Sequence, residues 1–178
     1  MYDKILYMPF DERLPTVNNA RHEYGNTGTE KKNAAFFEHE IAKGRTAVSV
    51  WYNGKRSAHL AGMSGGQIYI RGHGMPGENL LEGGRGGEKV RYDEVVSRMK
   101  KSGLKKTFSG KIKCYNCHSA ETIDTEGNMW PQVVETNGMP FAQLMADELF
   151  ANGYKNCTIF GYVGAIDSMP KDGSQGTH

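Results

Sequence analysis

Short apolar runs alternate along this chain with amphipathic stretches of helical period. Runs of Ile, Val, Tyr and Phe predict strands over Lys4 to Met8, Ala47 to Tyr52, Gln67 to Ile70, Lys111 to Cys117 and Cys157 to Val163. Three other stretches repeat apolar residues three or four apart. Ala34, Phe37 and Ile41 lie between a capping Thr29 and a terminating Gly44, and Tyr92, Val95, Val96 and Met99 precede Gly103. Phe141, Leu144, Met145 and Leu149 run from Pro140, suited to a first helical turn, to Gly153. All three stripes read as core-facing. Strands alternating with helices are the pattern of βαβ units, so the expected class is α/β with a mainly parallel sheet.

Length and composition narrow the picture. One domain over residues 1–178, without internal repeat or linker, is expected from 178 residues, 38% hydrophobic and 24% charged. No segment has the roughly 18 consecutive apolar residues of a membrane helix, and Met1 to Ile5 lacks the basic start of a signal peptide. The reading is therefore a protein with no membrane partner, cytoplasmic or delivered into a target cell by a dedicated secretion apparatus. Three cysteines, an odd number, suggest free thiols rather than a disulfide framework. A net charge of +2 calls for no nucleic acid. One basic run stands out: Arg98, Lys100, Lys101, Lys105, Lys106, Lys111 and Lys113 contain no acid among them. It reads as a solvated face or as a site for a phosphate or an acidic partner. Glycine, at 23 residues, is roughly twice as common as usual and gathers between Gly62 and Gly87, where a flexible functional loop is expected.

Ligands of open parallel sheets bind beyond the carboxyl ends of the strands. Two such ends carry chemistry. The third strand runs into Arg71-Gly72-His73-Gly74, and the fourth into Cys117-His118-Ser119, so an imidazole and a thiol emerge at the same rim. Thiol catalysis needs a thiolate, a proton carrier and donors for the oxyanion. Cys117, His73 and the N–H groups of Gly74 and Cys117 can fill those roles, and glycine after the histidine leaves room for a substrate carbonyl. His118 is a less suitable partner, because adjacent side chains on an extended segment diverge. His22, His39, His59 and His178 have no comparable setting.

An apolar block ending in His73-Gly74, followed about forty residues later by one ending in Cys117, resembles the caspase-like cysteine peptidases of clan CD. These include caspases, legumains, clostripain, gingipains and the self-cleaving protease domains of large bacterial toxins. The resemblance implies a three-layer sandwich with a mainly parallel sheet of about five to six strands and flanking helices. It also implies a thiol protease without cofactor or metal, a Cys117–His73 dyad and a protein substrate. Its specificity pocket would draw on the loop after the first strand, where Asp11, Glu12 and Arg13 lie, and on Tyr115 and Asn116 beside the nucleophile. Asp11 or Glu12 would favour a basic substrate side chain, and Arg13 an acidic one. The same three residues also read as a solvated turn. Clostripain-like members carry an acid two residues before the cysteine and caspases carry Gln-Ala-Cys, whereas this chain has Tyr115-Asn116-Cys117, so no residue preference transfers. The toxin domains are switched on by inositol hexakisphosphate in a basic groove, a role open to the Arg98 to Lys113 run. By the same analogy the chain is a bacterial toxin or effector with a cognate inhibitor.

Other readings compete for these residues. Cys114-Tyr115-Asn116-Cys117-His118 fits the Cys-x-x-Cys-His pattern of c-type haem attachment. On a strand, however, the two thiols point to opposite faces, which also disfavours a zinc or redox pair. A metal held by Cys117, His73 and His118 lacks an evident fourth ligand. A catalytically silent protein-binding module on the same fold is the remaining alternative.

Overall fold

The computed structural model describes residues 2–24, 31–122, 139–164 and 166, with backbone alone for residues 31–35. In chain order its elements are β1 (Lys4–Asp11), α1 (Val17–Tyr24), α2 (Lys31–Ala42), β2 (Ala47–Tyr52), α3 (Ala58–Gly62), β3 (Gln67–Arg71), β4 (Leu80–Glu82), β5 (Lys89–Arg91), α4 (Tyr92–Lys101), β6 (Lys111–Tyr115), α5 (Phe141–Ala151) and β7 (Thr158–Phe160). Five strands form one sheet in the order β2-β1-β3-β6-β7, and every pairing in it is parallel. The fold is α/β, as the alternation of strands and helices predicts.

Parallel strands covered on both faces read as near-continuous apolar runs. β1 shows this most fully, since all eight of its residues are buried. Register fixes the two faces. Ile5, Ile68 and Ile112 align across β1, β3 and β6, as do Tyr7, Ile70 and Cys114. Burying each such aliphatic side chain contributes about 1.5–3 kcal/mol. This face meets α4, where the Tyr7 hydroxyl lies 3.2 Å from Ser102 Oγ at the helix end. The alternate positions Leu6, Tyr69 and Lys113 form the other face, and α2 covers it with Phe36 stacked edge-on against Tyr69 at 5.1 Å. Helices therefore flank the sheet on both sides, around a single connected apolar core among the described residues.

Several sequence expectations change. Ile41 points outward at 71% exposure, because α2 turns Phe36 and Glu40 inward and Glu40 is drawn to Lys4 and Arg45. Thr29 lies outside the described residues, as does the side chain of Ala34. The fourth strand ends at Tyr115, where the Asn116 N–H turns back to the Cys114 carbonyl at 2.9 Å, and the last strand is only Thr158–Phe160. The glycine-rich stretch is also not one long loop. It contains the antiparallel hairpin β4–β5, whose Glu82 exchanges both backbone hydrogen bonds with His73. Its glycines serve close packing: Gly84 has φ +76°, and a Cβ there would stand 2.4 Å from the Asn19 carbonyl oxygen. The hairpin thus lies tight against α1.

Candidate functional site

β3 and β6 are paired from Gln67 with Lys111 up to Arg71 with Tyr115. His73 and Cys117 each stand two residues beyond that last pair, so the fold brings them to the same level on neighbouring strand ends. The two ends touch just beyond. A Cβ on Gly74 would lie 2.9 Å from the Cys117 carbonyl oxygen and 2.4 Å from Asn116 Nδ2. Glycine is required here by the packing of the strand ends.

His73 is held from two directions. Its backbone is pinned by Glu82, and its Nε2 lies 2.6 Å from Glu23 Oε1 near the end of α1. The ring also packs against Tyr24 with centroids 5.7 Å apart. A carboxylate on Nε2 keeps a proton there and leaves Nδ1 as the basic nitrogen. Cys117 is half-buried in the turn after β6, and its Sγ accepts the N–H of Ile166 at 3.3 Å. Among the described residues the backbone N–H groups of Gly74 and Cys117 have no hydrogen-bond acceptor.

His118 is committed elsewhere. It has a positive φ of 56°, and its Nδ1 lies 2.6 Å from Glu121 Oε2 in a buried pair. That same carboxylate accepts the N–H of Gly164, and the His118 N–H reaches the Gly164 carbonyl, so this pair fastens the turn that carries Cys117 to the chain after β7. Ser119 Oγ does the same, donating to the Cys114 carbonyl and accepting from the Tyr162 N–H. The turn that carries Cys117 is therefore cross-tied on both sides.

Tyr115 packs edge-on between Tyr69 and Tyr162, and Asn116 is buried beside Gly74. Asp11 and Arg13 are turned to each other: Arg13 Nε and Nη2 donate to the two Asp11 oxygens at 2.8 and 2.6 Å. The hydrogen-bonded guanidinium holds the Asp11 carboxyl below the usual carboxylate range. Glu12 accepts from Asn53 and pairs with Arg21. All three are thus engaged in local pairs on the β2 side of β1.

The basic run separates. Arg98 is paired with Glu88 and Glu94, Lys113 reaches Tyr69 on the sheet, and Lys111 lies over Phe160. Lys100 and Lys106 line a shallow groove with Lys155 at the end of α5. Cys114 is sealed in the core, where burial pushes its thiol up to about 12, whereas Cys117 lies past the strand end; the three cysteines are free. Among the described residues no three His, Cys, Asp or Glu side chains gather as metal ligands.

Sequence reasoning missed Glu23, Tyr24 and Arg71. Arg71 is 7% exposed, with its guanidinium carbon 5.2 Å from the Tyr24 ring centroid and 4.6 Å from that of Tyr115. Five buried side-chain polar atoms among the described residues have no hydrogen-bond partner, and three of them belong here: Tyr24 Oη, Arg71 Nε and Asn116 Oδ1. Buried polar groups are nearly always satisfied, so each of these three atoms has capacity for a further hydrogen-bond partner.

Comparison with family models, with curated proteins and with solved structures gives no match for this chain.

Proposed function

We propose that the chain is a cysteine hydrolase of the caspase-like kind and, within that class, an endopeptidase acting on protein substrates. One observation carries the reading: His73 and Cys117 stand at matching positions beyond paired parallel strands, with Gly74 packed against the Cys117 carbonyl. The Cys117 thiolate attacks the scissile carbonyl carbon, forming a C–S bond as the carbonyl oxygen becomes an oxyanion facing the N–H groups of Gly74 and Cys117. The intermediate collapses with cleavage of the C–N bond, and His73, carrying the proton taken from the thiol, gives it to the leaving amine. Water, deprotonated by His73, then hydrolyses the thioester and returns the thiol. Glu23 steadies the imidazole through both steps.

The test incubates the protein, Cys117→Ala and His73→Ala with a diverse peptide mixture and reads new termini by mass spectrometry. Cleavage that both variants lose supports the reading. Absence of new termini from the wild type overturns it.

A further inference from the structure

We infer that Arg71 is the specificity residue of this site and that the substrate carries an acidic side chain next to the scissile bond. The inference rests on the proposed hydrolase and names what it accepts. Arg71 closes β3 two residues before His73, about 7 Å along the strand, opposite Tyr115, which stands two residues before Cys117. In this proposal the side chain of a substrate residue whose carbonyl carbon sits at Cys117 lies toward this guanidinium.

Burial of a guanidinium without a carboxylate is costly. Arg71 is 93% buried, by its 7% exposure, and forms no ion pair or hydrogen bond through its side chain among the described residues. Its two aromatic neighbours supply cation–π attraction, which holds the plane in position but leaves the buried Nε–H without a partner among the described residues. Tyr24, whose hydroxyl is likewise buried and unbonded, adds a neutral donor beside it, and burial pushes that phenol above its ordinary range, so it remains protonated. One guanidinium and one phenol match the two oxygens of a carboxylate. A phosphate dianion fits less well, since Glu23 adds negative charge beside Tyr24 and His73.

The test uses four peptidyl acyloxymethyl ketones that differ only in the residue before the reactive carbonyl: Asp, Glu, Asn or Lys. Cys117 Sγ displaces the carboxylate leaving group to form a thioether, and intact mass reports the labelling rate. The expected result is that the better acidic probe labels the wild type about 100-fold faster than the Asn probe. Arg71→Gln should bring the acidic rate down to the Asn rate, while Arg71→Lys keeps the acidic preference at a reduced rate. If the wild type labels equally fast with Asn or Lys probes, or Arg71→Gln keeps the acidic preference, this inference falls and the hydrolase reading stands. If no probe labels Cys117, both fall.

Discussion

Glu23 Oε1 holds His73 Nε2 at 2.6 Å, so the imidazole at the strand end is oriented by a carboxylate from a helix that precedes it by about fifty residues. Replacing Glu23 by Gln keeps the shape and removes the charge that fixes the tautomer and supports the imidazolium. Glu23→Gln should lower kcat by about 100-fold and leave KM nearly unchanged, because the group acts through His73 rather than on substrate. Steady-state kinetics on any peptide found to be cleaved checks this, and a change confined to KM would count against it.

Gly74 has no space for a side chain. An alanine methyl would meet Asn116 Nδ2 at 2.4 Å and, less avoidably, the Cys117 backbone carbonyl at 2.9 Å. Gly74→Ala should therefore push the two strand ends apart, cost about 1–3 kcal/mol of stability and, under the proposed mechanism, abolish turnover by displacing the two N–H groups assigned to the oxyanion. Chemical denaturation beside an activity assay separates the two effects. Wild-type activity in the variant would show that the ends need not touch.

The three thiols differ in reactivity for reasons of position. Cys114 is fully sealed in the core with its thiol pushed up to about 12, and burial also raises the half-buried Cys157. Cys117, at the rim and accepting the Ile166 N–H, should be the first carbamidomethylated by iodoacetamide near pH 8, with Cys114 protected until the chain unfolds. Peptide mapping against time gives the order. Early labelling of Cys114 would contradict the buried strand assignment.

These sites differ in how far the sequence announces them. The five sheet strands were legible because doubly covered parallel strands leave apolar runs, and Ala47–Tyr52 matches its expected bounds. His73 and Cys117 were legible because each follows such a run. Glu23 and Tyr24 were not, since α1 is largely polar and buries only Val17, Ala20 and Tyr24, too few to announce a helix. The hairpin escaped for a similar reason: β4 and β5 each bury a single residue, Leu81 and Val90, among glycines whose role is close packing. Arg71 looked like the charged end of a strand, and only the two tyrosines brought in from α1 and β6 enclose it. The outward turn of Ile41 was hidden as well, because the feature that rotates α2 is a charged contact from Glu40 to distant Lys4.

That contact has a measurable consequence for acid stability. Glu40 Oε1 lies 2.7 Å from Lys4 Nζ and its Oε2 2.6 Å from Arg45 Nε, with Glu40 and Lys4 both buried. Burial disfavours the carboxylate, but the hydrogen bonds from Arg45 and Lys4 outweigh it and hold the Glu40 carboxyl below its ordinary 4.5. A carboxyl whose folded pKa is depressed contributes stability that is complete above the unfolded value and is lost as pH falls through the folded one. Stability should therefore be level at neutral pH and decline below about pH 4.5, with Asp11, also depressed, adding to the slope. Glu40→Gln leaves the Lys4 ammonium buried without its counter-charge and should cost about 3 kcal/mol at pH 7. The variant should also lose part of the wild-type decline in acid, since Gln has no proton to gain. Urea denaturation of both proteins from pH 7 to pH 3 tests the two statements together, and parallel curves across that range would show that the Lys4–Glu40–Arg45 cluster does not govern acid unfolding.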